Sequence, residues 1–241
     1  MSKLIAVIPA RGGSKGLPKK NILDLHGCPL ICWSIEFALE QAHVDRCIVS
    51  TDSSEIAQIA RQAGAEVPFL RSEHLSSDTA KTADVILDVI QRCSLDRDNK
   101  IILLEPTSPY RTKATFCKAL SLFDYPECKK VVSVSEAVST SHIFQHHIDF
   151  NSYPTMQSIL DDANINGLRR QDVRKAYYLD GSFYISYVHA FLDEPGFLAC
   201  NTLAVLNDYF SSFEIDCLDD LSLMRAIFTH ICLLYTSPSP R

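Results

Sequence analysis

Residues 4–21 read LIAVIPARGGSKGLPKKN, an apolar run that leads directly into a basic loop. The apolar run, residues 4–8, ends at a proline and is too short for a helix, which predicts a buried strand. The basic loop then follows the carboxyl end of that strand. Because open α/β sheets bind ligands at this edge, the loop is the first candidate for a binding site.

The residues of this loop are suited to bind a polyphosphate. Glycines at 12, 13 and 16 let the backbone turn its amides toward an anion, while Arg11 adds a planar fork and Lys15 a mobile charge. The spacing matches neither Gly-x-x-x-x-Gly-Lys-Ser/Thr nor Gly-x-Gly-x-x-Gly, which argues against a P-loop kinase and a dinucleotide-binding oxidoreductase. Composition alone also permits a solvated loop without function.

Residues 8–16, IPARGGSKG, with the later pair Lys20-Asn21, resemble the amino-terminal signature of the acylneuraminate cytidylyltransferases, the CMP-sialic acid synthetase family. The resemblance covers residues 4–230. Enzymes that activate 3-deoxy-octulosonate share the Pro-Ala-Arg opening but usually continue differently, so they are the second choice. The resemblance implies an enzyme that joins CTP and a sugar acid.

Composition predicts a folded, cytoplasmic protein. The 241 residues are 46% hydrophobic and 22% charged, with a net charge of −6. We expect no nucleic-acid partner and no membrane partner, because the acidic balance disfavours polyanions and no apolar stretch is long enough to span a bilayer. The nine cysteines are scattered without a Cys-x-x-Cys pair, which favours free thiols over a zinc site.

Short apolar runs alternate with helical patterns along the chain. Residues 47–50, 100–104, 130–135 and 177–185 have strand-like composition. We predict an α/β fold, a mostly parallel sheet sandwiched by helices. The resemblance implies its nucleotidyltransferase version, Rossmann-like and glycosyltransferase-A-like, as one cytidylyltransferase domain over 1–232. Residues 233–241 are rich in serine and proline, and we predict a non-native or disordered tail there.

A segment without sustained periodicity, residues 139–176, interrupts this domain. In the family the matching region is a dimerisation arm that reaches the partner's active site, so the resemblance implies a homodimer and a role for Arg170 at the neighbouring site. Within this segment, the adjacent residues His146 and His147 point opposite ways if the chain is extended, which argues against metal ligation.

The resemblance also assigns the nucleotide site. It implies catalytic roles for Arg11 and Lys20 and nucleotide binding by Ala10, Arg11, Gly12, Ser14, Lys15, Lys20, Asn21, Arg71 and Thr82. By itself, an arginine after a strand such as Arg71 is also typical of a surface ion pair. In the helical pattern that follows Thr82, we interpret Asp84, Asp88 and Arg92 as a solvated helix face.

Two further stretches resemble the family's sugar-binding segments, each with a departure. Residues 105–111, EPTSPYR, carry Glu105 where sialate enzymes usually have glutamine, and Asp180 replaces an asparagine. The resemblance implies sugar-acid binding by Glu105, Thr107, Ser108, Arg170, Asp180 and Tyr184. Both departures add negative charge, which a sugar with different substituents would explain. A structural turn residue is an equally good interpretation of Asp180.

An acidic pattern near the end of the chain predicts a magnesium site. Alternation over residues 213–217 places Glu214 and Asp216 on the same side of a strand, where two carboxylates repel unless a cation lies between them. Such oxygen ligands suit Mg²⁺. The resemblance implies that Glu214 and Asp216 hold the metal, as the family's aspartates do at this point, and that Asp216 is catalytic. An acidic helix cap, including Asp219 and Asp220, is the alternative.

The implied reaction is attack by the anomeric hydroxyl of a nine-carbon 2-keto sugar acid on the α-phosphorus of CTP, which gives a CMP-sugar and pyrophosphate. Such chemistry depends on positioning and charge stabilisation. Two alternatives stay open. One is a cytidylyltransferase for legionaminate, pseudaminate or an octulosonate; the other is a nucleotide-sugar binding module without catalysis.

Overall fold

A computed structural model describes residues 2–14, 16–137, 146–148, 156–158 and 175–236. The strands are β1 (Leu4–Pro9), β2 (Asp24–Leu25), β3 (Cys28–Pro29), β4 (Arg46–Ser50), β5 (Lys100–Leu103), β6 (Lys130–Glu136), β7 (His146–Ile148), β8 (Met156–Ser158), β9 (Tyr177–Tyr187) and β10 (Leu203–Leu206). The helices are α1 (Leu30–Glu40), α2 (Ser54–Gln62), α3 (Thr82–Arg92), α4 (Lys113–Ser121), α5 (Val188–Asp193) and α6 (Leu218–Thr236).

The central sheet has six strands in the order β10-β6-β9-β5-β1-β4. Strand β1 pairs in parallel with β4 and β5, and β10 pairs in parallel with β6. Strand β9 is antiparallel to both of its neighbours, β5 and β6. The prediction of a mostly parallel sheet is confirmed, and the carboxyl ends of β4, β1 and β5 meet at one edge.

Helices cover both faces of this sheet, and alternate residues of β1 are buried in the cores on the two faces. Ala6 and Ile8 are buried in a core formed with α1, α2 and α4, whereas Ile5 and Val7 are buried in a second core formed with α3 and α5. Successive side chains of a strand point to opposite faces, so a strand that is apolar throughout must be covered twice.

Local sequence signals fix several helix ends. The Ser53 hydroxyl accepts a hydrogen bond from the Ile56 amide at 3.3 Å, which caps α2, and Gly64 follows the helix with φ at 94°. The predicted solvated face of α3 is only partly correct. Asp84 and Arg92 are exposed, and the Arg92 guanidinium lies 3.6 Å from the centre of the Phe69 ring. The Asp88 side chain, by contrast, is only 20% exposed.

The strand predicted over residues 213–217 is wrong, because this stretch is irregular. Its alternation nevertheless persists: Ile215 is buried in a third core, and its amide donates to the Thr107 carbonyl at 2.8 Å. Helix α6 follows and ends at Thr236, so it continues into the segment 233–241 that the sequence predicts as a tail. Residues 237–241 lie outside the described residues.

The predicted arm lies largely outside the described residues. Strands β7 and β8 pair antiparallel within it, and Arg170 is not among the described residues. Eight cysteines in the described part of the chain are free thiols, and burial raises the pKa of Cys47 to about 12. Within the described ranges, no helix is long and apolar enough to cross a membrane.

Candidate active site

A pocket of about 380 Å³ opens at the edge where the parallel strands β1 and β5 end. Loops that follow both strands line it, together with the start of α3 and the segment before α6. The lining residues are Pro9, Arg11, Lys20, Asn21, Arg71, Leu75, Asp78, Ala80, Thr82, Val85, Glu105, Pro106, Thr107, Glu214 and Asp216. Side chains that are far apart in the sequence therefore meet at the edge that the sequence predicts.

The basic loop is held in place by contacts that leave its cations at the pocket. The Asn21 side-chain amide donates to the Arg11 carbonyl at 2.9 Å, and the Gly12 amide donates to Asp52 at 2.8 Å. A β-carbon at Gly12 would lie 3.0 Å from the β-carbon of Ser53, so only glycine permits this approach without a shift. Asn21 thus lines the pocket and also orients the loop.

Each of the two loop cations that line the pocket contacts a carboxylate from elsewhere in the chain. Arg11 Nη1 lies 2.7 Å from Asp78 Oδ1, and Lys20 Nζ lies 2.9 Å from Asp216 Oδ1. The Lys20 side chain is 18% exposed, whereas that of Asp216 is 72% exposed. The Lys20 ammonium group is therefore largely enclosed by the protein at the pocket, and its carboxylate partner is mostly open to solvent.

Arg71 belongs to the pocket rather than to a surface ion pair. Its backbone amide donates to the Thr51 carbonyl at 2.7 Å, and its Nε donates to Ser76 Oγ at 3.1 Å. Burial lowers the pKa of Arg71; Asp52 opposes this shift, and Arg11 adds to it. A partly desolvated guanidinium beside another cation favours binding of an anion.

The structure brings most of the predicted nucleotide residues together, with exceptions. Arg11, Lys20, Asn21, Arg71 and Thr82 line the pocket. Ala10, Gly12 and Ser14 do not line it, and the buried Ala10 instead donates its amide to the Ser50 carbonyl at 2.9 Å. Lys15 lies outside the described residues.

Three carboxylates form the opposite wall of the pocket. Glu105, Glu214 and Asp216 line it, and their charges act on one another. Burial, followed by the charges of Glu105 and Asp216, raises the pKa of Glu214 to about 7, while Lys20 opposes the shift. Burial also raises the pKa of Glu105, against the charges of Arg111 and Lys20. Negative charge is thus crowded here, as the sequence predicts for Glu214 and Asp216.

The donor set of this wall fits magnesium, although no group of three or more potential ligands is found among the described residues. Mg²⁺ commonly uses one or two protein carboxylates and takes its other ligands from water and substrate phosphates. Two hard oxygen donors beside a cationic pocket satisfy that requirement. The mutual repulsion that disfavours the charge on Glu214 would be relieved by a divalent cation.

The helix-cap interpretation of the acidic segment is correct for Asp220, one of the two residues that the sequence analysis named. Asp220 accepts hydrogen bonds from the amides of Asp216 and Cys217 at 2.9 and 2.8 Å, and these bonds lower its pKa. Asp220 therefore caps α6 and fixes the backbone of Asp216. A β-carbon at Gly16 would lie 3.2 Å from the Asp216 carbonyl, so the basic loop packs closely on this turn.

Arg111 is a site residue that the sequence analysis missed. It is buried and donates to the Ser182 carbonyl at 2.8 Å, to Ser34 Oγ at 2.9 Å and to the Glu105 carbonyl at 2.7 Å. Burial lowers its pKa to about 9, opposed first by the charge of Glu105. The sequence feature that could have identified Arg111 is its position at the end of residues 105–111, a loop whose shape is restricted by two prolines.

The predicted contact between Asp180 and the sugar is wrong in this structure. Asp180 is 1% exposed and does not line the pocket. Its carboxylate accepts hydrogen bonds from Ser133 Oγ, from Ser135 Oγ at 2.8 Å and from the Ser182 amide at 3.1 Å. The alternative of a structural role is correct, but Asp180 lies in strand β9 and not in a turn, and its acceptors are occupied by groups of the strands beneath the pocket.

The other predicted sugar-binding residues divide between the wall and the layer beneath it. Glu105 and Thr107 line the pocket, whereas Ser108 is fully buried and Tyr184 is half-buried beside Phe197. Burial, and then the charge of Glu105, raises the pKa of Tyr184 to about 12. The Tyr184 hydroxyl therefore stays protonated. The charge of Glu105 acts on it although Tyr184 does not line the pocket.

Comparisons with known proteins find similar sequences over most of the chain. A family model described as cytidylyltransferase matches residues 5–178. The chain is 35% identical to the CMP-N,N'-diacetyllegionaminic acid synthase of Legionella pneumophila over 93% of this chain and 96% of that protein. It is 31% identical to the pseudaminic acid cytidylyltransferase of Campylobacter jejuni over 94% and 96% of the two chains.

Other similar proteins are longer or more distant. The N-acylneuraminate cytidylyltransferase of Streptococcus agalactiae is 33% identical over 90% of this chain but only 51% of its own length. Among solved structures, CMP:2-keto-3-deoxy-manno-octonic acid synthetase complexed with CTP has a TM-score of 0.68 at 19% identity, and covers 95% of this chain and 100% of its own. At this identity the likeness concerns the fold alone.

Proposed function

The chain belongs to the cytidylyltransferase family, and we propose on that basis that it transfers the CMP unit of CTP to a sialic-acid-type 2-keto sugar acid. A bond forms between the anomeric oxygen and the α-phosphorus, the hydroxyl loses its proton, and pyrophosphate leaves. The observation that carries the proposal is the pocket in which Arg11, Lys20 and Arg71 face the carboxylates of Glu214 and Asp216.

The three cations are proposed to bind the triphosphate. Arg11 and Lys20 each contact one carboxylate at the pocket, and both can exchange it for phosphate oxygens. Arg71 is more deeply buried and keeps its protein contacts, so it offers a fixed charge. Lys20 is the leading candidate to stabilise charge on the reacting and departing phosphates, because its side chain is the one enclosed between the basic loop and the acidic wall.

Asp216 and Glu214 are proposed to hold Mg²⁺. The ion would supply charge neutralisation at the triphosphate when bound. The residues' own contribution is placement: Asp220 fixes the backbone at Asp216, and Ile215 anchors the segment to Thr107. Both carboxylates then face the pocket from a short irregular segment whose middle residue is buried in the core.

The proposed acceptor is a nine-carbon acid of the sialic type, because similar proteins include cytidylyltransferases for neuraminate, legionaminate and pseudaminate. Legionaminate is the second candidate, supported by the 35% identity over most of both chains. Glu105 lines the pocket at a position where sialate enzymes usually carry glutamine, an uncharged amide. The sugar acid bound here would therefore have a substituent that can lie beside a carboxylate or pair with it. Pseudaminate and octulosonate complete the set of acids to test.

We further propose that the active protein is a homodimer, with residues 139–176 as the contact arm and Arg170 at the neighbouring site. The proposal rests on the family resemblance. Light scattering of the full chain, compared with a chain in which this arm is replaced by a short glycine-serine linker, tests it. A monomer in both cases contradicts the proposal.

Pyrophosphate release from CTP and Mg²⁺, measured with neuraminate, legionaminate, pseudaminate and octulosonate acids in parallel, tests the reaction. We expect release with one acid far above the others. Lys20→Ala is expected to abolish it, while Lys19→Ala retains it, because Lys19 pairs with Glu55 and does not line the pocket. A folded protein that binds CTP but releases no pyrophosphate with any acid would favour the non-catalytic binding module.

A further inference from the structure

Strand β9 contains a large bulge directly beneath the acidic wall. Val134 of β6 pairs with Leu179, but Val132 pairs with Tyr184, so residues 180–183 lie opposite the single residue Ser133. Extra residues of this kind bend a strand and redirect its side chains, and they are common beside active sites. Gly181 lies within this bulge with φ at 71°, in the left-handed region that favours glycine.

Buried side chains hold the bulge in one conformation. Besides the bonds to Asp180, the Ser182 hydroxyl donates to the Ser211 carbonyl at 2.7 Å and accepts from Asn207 Nδ2 at 2.9 Å. Arg111 Nε donates to the Ser182 carbonyl at 2.8 Å. Because these groups are buried and paired, displacing the bulge would leave polar atoms unsatisfied, and its shape is therefore fixed.

The fixed bulge brings the backbone of Gly181 against the side chain of Glu214. A β-carbon added at Gly181 would lie 2.9 Å from Glu214 Cδ and 2.8 Å from Ser108 Oγ, and closer still to Glu214 Oε1. The Ser108 hydroxyl is buried and has no hydrogen-bond partner among the described residues. The space that any side chain at position 181 would need is thus already occupied by the Glu214 carboxyl group.

We propose that Gly181 is a positioning residue for Glu214. The bulge places a residue without a side chain at position 181, and this leaves the space between the strand and the pocket that the Glu214 carboxyl group occupies. With any larger residue at position 181, the Glu214 side chain would have to move out of that space. The inference rests on the proposed function, in which Glu214 holds Mg²⁺, but the packing contact can be measured separately.

Gly27 provides a matched control. It has φ at 81°, close to that of Gly181, but nothing lies within 4 Å of the β-carbon that alanine would add. Gly27→Ala therefore reports the backbone cost of alanine in the left-handed region, and Gly181→Ala reports that cost plus the displacement of Glu214. Both substitutions are made in the full-length protein and repeated in a Glu214→Ala background.

The first measurement is the melting temperature, which does not depend on any activity. We expect Gly181→Ala to lower it more than Gly27→Ala does, and we expect at least half of that excess to disappear when Glu214 is alanine. Equal losses for the two glycines, or an excess that persists without Glu214, would overturn the inference. If Gly181→Ala alone does not fold, folding restored by Glu214→Ala supports the contact, and folding not restored refutes it.

The second measurement is the Mg²⁺ concentration that half-maximally enhances CTP binding, determined by calorimetry. Substitution of a residue that orients a metal ligand typically lowers metal affinity about 10- to 100-fold. We therefore expect Gly181→Ala to need at least about tenfold more Mg²⁺. Gly27→Ala should match the unchanged protein. An unaltered Mg²⁺ requirement in folded Gly181→Ala contradicts the positioning role, whereas absence of any Mg²⁺ effect in the unchanged protein contradicts the proposed function itself.

Discussion

Arg11 and Lys20 each contact one carboxylate at the mouth of the pocket, whereas Arg111 donates to three oxygen atoms beneath it. The two mouth cations are partly exposed and their partners are exposed carboxylates, so a competing anion can replace those partners. The acceptors of Arg111 are two backbone carbonyls and a serine hydroxyl, in a buried layer. The site therefore combines two cations at the pocket that are available for binding with a third, beneath the pocket, whose contacts hold the fold together.

This difference predicts that substitutions at the mouth change function and leave stability nearly intact, while substitutions beneath the pocket change stability first. An exposed ion pair contributes little to folding because water and salt screen it. Removing one partner from a buried charged network leaves its neighbours without compensation, which is costly.

Arg111→Ala should lower the free energy of unfolding by about 3–5 kcal/mol, because it leaves buried carbonyls unpaired and removes the compensating charge near Glu105. Urea denaturation measures this loss. Arg97→Ala is the control, since Arg97 forms an exposed pair with Asp193 and should change stability by at most about 1 kcal/mol. Similar losses of unfolding free energy for Arg111→Ala and Arg97→Ala would contradict the structural role of the buried layer beneath the pocket.

Lys20→Ala should reduce turnover by a factor of about 10²–10³ or more, which is typical for loss of one charge-stabilising donor in a transition state. Its unfolding free energy should stay within about 1 kcal/mol of the unchanged protein, because Asp216 is already exposed. Steady-state pyrophosphate release and urea denaturation measure the two quantities. A turnover close to that of Lys19→Ala would contradict the assignment of Lys20.

Asp180→Asn should cost about 1–3 kcal/mol of stability, because the amide cannot accept every hydrogen bond that the carboxylate now accepts from the bulge and from Ser133 and Ser135. The KM for the sugar acid should change by less than about threefold, since Asp180 does not line the pocket. A large rise in KM without loss of stability would restore the direct sugar contact predicted from the sequence.

Asp78→Asn should change stability by at most about 1 kcal/mol, because its pair with Arg11 is partly exposed on both sides. CTP binding should become moderately tighter, since a negative charge is removed next to the proposed triphosphate site. Isothermal calorimetry at constant ionic strength measures it. Weaker binding would show that Asp78 is needed to place the Arg11 guanidinium.

The sequence predicts the mouth of the pocket well for a physical reason. Arg11, Lys20 and Asn21 belong to one continuous loop after a buried strand, and the position of that loop at the sheet edge follows from chain order alone. Glu214 and Asp216 are separated by a single buried residue, so the two carboxylates face one way even though the predicted strand is irregular.

The contacts of the buried layer beneath the pocket could not be predicted in the same way. The role of Arg111 depends largely on the Ser182 carbonyl, 71 positions away, and on Ser34 in α1, 77 positions away. The role of Asp180 depends on a bulge created by pairing with β6. Neither arrangement has a local pattern in the chain. Sequence reasoning therefore identified Asp180 as a charged departure but could not determine that the fold encloses it.

Calorimetric titration of CTP with and without Mg²⁺, in the unchanged protein and in Asp216→Ala, tests whether the pocket binds the triphosphate together with magnesium. If the pocket binds a magnesium-triphosphate, Mg²⁺ should tighten CTP binding at least about tenfold in the unchanged protein, and Asp216→Ala should lose most of that gain. Equal CTP affinity with and without Mg²⁺ in both proteins would contradict the proposed site.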